Sequence, residues 1–327
     1  MSDTRKKDHI EQAFVSRPEF QLSSENIYYE PLFSAYPETG SELEFLDFNF
    51  EMPLWVSSMT GGTQKAFTIN KNLARACKEF KLGMGLGSCR PLLDSNERLS
   101  DFDLREQIGD RPLYANLGIA QLENEFDQDR GARVVELVKK LNADGLIIHV
   151  NPLQEFFQPE GDKYKYPAID TIKRAIDLLD FPLMVKEVGQ GFGPRSIESL
   201  MALPLKAIEL SAFGGTNFSL LEIKRSNQEN CNQDFSYVGH TAEEMIEWIN
   251  EFVLLDKSIC KNIIISGGVT SALQGYILQQ KLQAPSVVGM ASQLLKYAQG
   301  DYEELRNYLS EVKKGFNMAQ AFMRSSN

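Results

Sequence analysis

Seven consecutive residues, His149-Val150-Asn151-Pro152-Leu153-Gln154-Glu155, bring together an imidazole, two amides and a carboxylate. A lone histidine is most often packed in a core. This chain has only three, and His149 lies within the end of an apolar run, where the chain turns polar. Glu155 offers hard carboxylate oxygens of the kind Mg²⁺ takes one or two of, alongside the phosphates of a substrate. Lys186 ends a second apolar run with Glu187 beside it. An ammonium there is costly unless it meets an anion or a hydrogen-bonding ring. Successive strand residues point to opposite faces, so a salt bridge to Glu187 is disfavoured and Lys186 is predicted to face a ligand. Singly, Gly267, Gly268 and Gly289 read as ordinary turn glycines. Together, after the last two apolar runs, they predict backbone N–H groups free to approach a phosphate. Arg5-Lys6-Lys7 is either a solvated charge run or, with Arg90, a clamp that closes over a diphosphate.

Something must bring these segments to one place. Eight short runs rich in Val, Ile and Leu recur along the chain: 54–59, 82–86, 113–117, 145–150, 183–188, 207–210, 263–266 and 286–290. Continuous apolar runs suit strands buried on both faces. Amphipathic segments at 70–80, 131–141, 168–179 and 242–255 alternate with them. Eight such βα units close into a (β/α)₈ (TIM) barrel, whose reacting groups stand at the C-terminal ends of the strands. A doubly wound dinucleotide fold would need GxGxxG after its first strand, and Met59-Thr60-Gly61-Gly62 lacks that spacing. The chain is therefore predicted to be one domain over 1–327, with 1–52 an N-terminal arm or cap and 53–327 the barrel. Residues 217–240, Asn/Gln-rich after the sixth strand, have the composition of a mobile loop at the catalytic face.

Composition narrows the partners. A net charge of −11 disfavours a broad nucleic-acid or anionic-membrane contact. Four scattered cysteines without a CxxC pair exclude a Cys-rich zinc site and predict reduced thiols. No signal-like or membrane-spanning apolar stretch is evident, so a cytoplasmic location and a small-molecule ligand are expected. A homo-oligomer is expected as well, as barrels of this kind usually pair through their outer helices.

The ordered set Arg5–His9, Ser58–Gly62, Gly87–Arg90, Asn116–Gly118, His149–Glu155, Lys186–Gly189, Gly214–Thr216 with Glu222 and Arg225, and Ser266–Gly268 resembles the flavin-dependent (type II) isopentenyl-diphosphate isomerases. The resemblance runs from residue 5 to about residue 291. The glycine segments are common to many FMN barrels; 149–155 and 5–9 are far more specific. The resemblance implies FMN over the barrel mouth, with Ser58, Met59 and Thr60 at the ring edge. Ser88, Asn116, Lys186 and Thr216 would bond the ring or its ribityl chain, and Gly267, Gly268 and Ala291 its phosphate. It implies a diphosphate substrate held by Arg5, Lys6, Ser88, Arg90 and His149, with Mg²⁺ on Glu155. Gln154 would sit against the reacting allylic carbons as a positioning amide, and Gln154, His149 and Asn151 would make up the catalytic set. NADPH would serve only to reduce the flavin.

Two positions depart from the family pattern. Cys89 stands where Gln is usual, and Phe218 where Trp is frequent. An FMN-dependent 2-hydroxy acid oxidase uses the same barrel but needs a late histidine base, and no histidine follows His240. A non-catalytic flavin- or phosphate-binding barrel would not need the convergence at 149–155.

Overall fold

The computed structural model describes residues 27–37, 42–58, 64–226 and 231–325. Its centre is a closed parallel barrel of eight strands: β4 (Leu54–Val56), β5 (Gly83–Gly85), β6 (Leu113–Gly118), β7 (Gly145–His149), β8 (Leu183–Lys186), β9 (Ala207–Glu209), β10 (Ile263–Ser266) and β11 (Ser286–Met290). These are the eight predicted runs: most differ by at most one residue at an end, while the first ends three residues earlier than predicted, at Val56, and the fifth two earlier, at Lys186. Closure comes from β11, which pairs with β4 through Gly289↔Trp55 and with β10 through Val288↔Ile265. The strands are buried along nearly their whole length, which is why their sequences are apolar without alternation.

The helices that cover the barrel carry one apolar stripe each. Gly131–Lys140 turns Val134, Leu137 and Val138 inward, and Ala242–Leu254 turns in Met245, Ile246 and Ile249. Thr241 starts the latter as a capping box: its hydroxyl accepts the Glu244 N–H (3.3 Å), and the Glu244 carboxylate accepts the Thr241 N–H (2.8 Å). No helix among the described residues is long and apolar enough to cross a membrane. All four cysteines are free, three of them buried.

Ahead of the barrel, β1 (Ile27–Tyr29) pairs antiparallel with the C-terminal β12 (Met323–Ser325). A hairpin of β2 (Leu43–Phe45) and β3 (Phe48–Phe50) turns through Leu46 and Asp47, both at positive φ, as tight hairpin turns require. Arg111, just before β6, lies over the Phe48 and Phe50 rings and donates to the Asn49 carbonyl (2.8 Å). The hairpin therefore lies at the N-terminal end of the barrel. The polar excursion after β9 is present but not featureless. It forms a helix, Phe218–Ser226, and a 3₁₀ turn, Gln233–Tyr237. Residues 227–230 lie outside the described residues.

Shape-matching in the core is tight around Trp55, which is fully buried and meets Tyr114 edge-to-face at 6.1 Å. A Cβ at Gly83 would come within 2.3 Å of the indole, so glycine there is what makes room for the ring. Trp55→Ala is expected to cost about 3–5 kcal/mol, read as a lower urea midpoint with an unchanged slope.

Candidate active site

The C-terminal strand ends surround a cavity of about 340 Å³ lined by Ser58, Lys186, Thr216, Gly267, Gly268 and Ala291, among others. Lys186 ends β8 in register with His149 of β7 on one side and Glu209 of β9 on the other. Residues paired in register project to the same face, so one cation is flanked by an imidazole and a carboxyl. Lys186 Nζ donates to the Glu187 carbonyl oxygen (2.6 Å). The Glu187 carboxylate turns away and accepts the N–H groups of Gly189, Gln190 and Gly191 at 2.6, 2.6 and 3.0 Å. The two neighbours thus diverge, as strand geometry requires.

A polar chain crosses the cavity rim. Asn116 Nδ2 donates to Ser58 Oγ (2.9 Å), and Asn116 Oδ1 lies 2.7 Å from His149 Nδ1. With the amide so oriented, the tautomer assigned to His149 carries its proton on Nδ1 and leaves Nε2 a free acceptor. A Cβ at Gly118 would sit 2.8 Å from Nε2, so glycine gives the ring its place. Burial, and then the Lys186 ammonium, holds the imidazole well below its usual range, down to about 3. His149 is therefore neutral around neutral pH.

The segment after β7 forms a short helix, Pro152–Phe157, with proline in its first turn. Asn151 organises it. Its Nδ2 donates to Gln154 Oε1 (3.1 Å) and to Glu155 Oε1 (2.9 Å), and its Oδ1 accepts the Tyr164 hydroxyl (3.0 Å). The other oxygen of Glu155 accepts the Asp162 N–H (2.7 Å). Gln154 Nε2 donates to Glu222 Oε1 (3.3 Å), and Glu222, 5% exposed, pairs with Arg225 through its other oxygen (2.8 Å). Among the described residues no cluster of three or more His, Cys, Asp or Glu side chains is placed to hold a metal. Glu155 would supply one protein ligand to a cation whose other ligands come with a phosphorylated molecule.

Gly267 and Gly268 both have positive φ, 93° and 75°. A Cβ at Gly267 would lie 2.1 Å from the Ala212 carbonyl oxygen, so neither the conformation nor the space admits a side chain. Beside them Ser211 holds a left-handed φ of 47° and donates its N–H to Ser266 Oγ (3.0 Å). Such conformations outside glycine concentrate at functional sites.

Of the residues singled out in the sequence, Ser58, Asn116, His149, Lys186, Thr216, Gly267, Gly268 and Ala291 meet at or beside this cavity. Asn151, Gln154 and Glu155 form the adjoining cluster. Ser88 is exposed, and Arg90 is paired with Asp162 (2.9 Å). Arg5, Lys6, Met59 and Thr60 lie outside the described residues. Cys89 is fully buried, its thiol pushed up to about 12 by burial, so it presents no polar group to the cavity. Phe218 contributes to the cavity wall. Sequence reasoning assigned no role to Ser57 or Glu209, which the structure brings in, and named Glu222 only among the residues that carry the family resemblance. Glu209 carried a readable signal, an acid in the apolar run Ala207–Leu210 beside the strand of Lys186.

A closed parallel barrel with its polar groups gathered at the strand C-termini defines a (β/α)₈ enzyme scaffold. The same fold occurs in a flavocytochrome b2 variant with benzoylformate (TM-score 0.63, 13% identity, 91% of this chain and 76% of that one). It also occurs in a mandelate oxidase variant with the monooxide FMN adduct (TM-score 0.57, 10% identity, 91% and 83%). The chain matches no protein-family model. It is 33% identical over 304 residues to the isopentenyl-diphosphate delta-isomerase of Rickettsia akari (strain Hartford), covering 90% of this chain and 85% of that protein. It is 31% identical over 325 residues to the enzyme of the same name from Rickettsia peacockii (strain Rustic), covering 94% and 91%. The chain belongs to the isopentenyl-diphosphate delta-isomerase family.

The low His149 value gives a signature in stability. The folded form holds the imidazole neutral, whereas the unfolded chain binds a proton near pH 6.5. Stability from this group is complete above that pH and is lost as pH falls toward about 3. Between about pH 7 and pH 5, wild-type protein is expected to lose on the order of 1 kcal/mol more than His149→Gln, measured by urea denaturation at both pH values.

Proposed function

We propose that this chain is a flavin-dependent, type II isopentenyl-diphosphate delta-isomerase that moves the double bond of isopentenyl diphosphate to give dimethylallyl diphosphate. The observation that carries the reading is the joining of Gln154 to the buried Glu222 beside a cavity built around Lys186 and the Gly267-Gly268 turn. The donor set fits FMN: an ammonium and hydroxyls for a polar ring and ribityl chain, and a glycine turn without side chains for a phosphate. Ser58, Met59, Thr60, Asn116, Lys186 and Thr216 would hold the ring and ribityl chain, and Gly267, Gly268 and Ala291 the phosphate. When bound, reduced FMN supplies a ring nitrogen able to carry a proton, and NADPH serves to reduce it.

The reaction is redox-neutral: one proton is added at one end of the allylic unit and another is removed across it. An amide is a poor base, so Gln154 orients the alkene. Glu222, the carboxylate bonded to it, is the chain's own group able to hold a proton at that position. Asn151 fixes Gln154 and Glu155 relative to each other, which limits the reacting geometries. Glu155 would hold Mg²⁺ against the substrate diphosphate, with Arg5, Lys6, Ser88, Arg90 and His149 around that group. The exposed Arg90 would exchange its half-buried partner Asp162, which Gln121 also holds, for phosphate oxygens, a small cost for an ion pair at the surface.

The fold neighbours include enzymes whose names point to hydroxy acid chemistry, but at 10–13% identity they speak for the fold alone. A late histidine base, which that chemistry needs, is lacking after His240.

The test is anaerobic incubation with isopentenyl diphosphate, Mg²⁺, FMN and a stoichiometric pulse of NADPH, followed by proton NMR. Dimethylallyl diphosphate should accumulate far beyond the NADPH consumed. In the same assay Glu222→Gln should lower kcat by about 10²-fold or more while leaving bound FMN unchanged. Absence of product from FMN-loaded wild-type protein would contradict the substrate reading.

A further inference from the structure

Glu209 is the last residue of β9 and is 1% exposed, yet neither carboxylate oxygen has a hydrogen-bond partner among the described residues. It lines the same cavity as Lys186, its register partner on β8. No ion pair joins the two within 4 Å among the described residues; Lys186 Nζ is engaged by the Glu187 carbonyl. Ser57 Oγ, also buried in that cavity wall, likewise has no partner among the described residues. An acid buried with nothing to bond is among the costliest arrangements a core can hold, unless a charge or a ligand completes it. Packing gives no reason for it, because the position lies in a strand whose other residues are apolar.

We propose that Glu209 is a positioning residue: a buried carboxylate, set behind Lys186, that directs the ammonium into the cavity and tempers the positive charge met by the bound ring. The inference rests on the FMN reading above. Lys186 alone would favour the reduced ring, which carries the more negative charge. A carboxylate one strand away offsets part of that bias through a low-dielectric wall. Glu209 would thereby set the balance between the oxidised and reduced cofactor without touching the substrate.

The experiment is an FMN titration followed by spectroelectrochemical measurement of the bound flavin in wild-type protein, Glu209→Gln and Glu209→Asp. Glu209→Gln keeps the shape and removes the charge. It is expected to raise the preference for reduced over oxidised FMN about tenfold or more, an upward potential shift of about 30 mV for a two-electron couple. Glu209→Asp should return most of the way to wild type. Where Gln does not fold, Glu209→Ser makes the same comparison with a smaller side chain. FMN bound at an unchanged potential in the charge-removed variant overturns the inference alone. Wild-type protein that takes up no FMN overturns the cofactor reading, and the inference with it.

Discussion

A lysine at the end of a buried strand constrains everything around it. Lys186 is 6% exposed, and closing eight parallel strands fixes which groups share its face. Register puts His149 on one side and Glu209 on the other. Burial, and then the ammonium, depress the imidazole, and the imidazole, kept neutral, holds the Asn116–Ser58 chain in one orientation. The backbone answers as well. Glu187, forced to the opposite face, ties down the loop at Gly189–Gly191, which in turn borders the excursion carrying Glu222. A site of this kind is a consequence of strand register as much as of side-chain choice.

Strand register also explains what the sequence could and could not reveal. The eight strands were legible because burial on both faces removes polar residues from each run, and the helices because one stripe of each is apolar. Lys186 and the cluster 149–155 were legible for the opposite reason: they interrupt apolar runs where polar groups need a purpose. Glu209 breaks its run in the same way. Its proximity to Lys186, however, comes from pairing between strands more than twenty positions apart, which no local pattern encodes. The helix Phe218–Ser226 was obscured by composition. The Asn/Gln-rich stretch that follows it dominates the segment, although Ser219, Glu222 and Ile223 fall at helical spacing and are the buried face.

The two halves of the site differ in how they are held. The half around Lys186 and the Gly267-Gly268 turn stands on strand ends and on glycines, and at Gly267 neither conformation nor space admits a side chain. The half around Asn151, Gln154 and Glu155 rests on a short helix stitched by side-chain hydrogen bonds, to Tyr164 and to Glu222. On the proposed isomerase function, strand-end support for a planar group and a side-chain-held wall for a flexible chain suit a reaction in which a proton leaves one carbon and another arrives nearby. The departures at Cys89 and Phe218 leave that division intact, since one is sealed in the core and the other contributes apolar wall.

On the proposed isomerase function, one cavity holds both cofactor and substrate, with Lys186 beneath the ring and Gln154 against the alkene. A crystal structure of the protein with FMN, Mg²⁺ and isopentenyl diphosphate tests it most directly. The predicted result is flavin density between Lys186 and the Gly267-Gly268 turn, with the isoprenyl chain packed between that ring and Gln154. Flavin bound elsewhere, or a diphosphate lodged away from Gln154 and Glu155, would contradict the account.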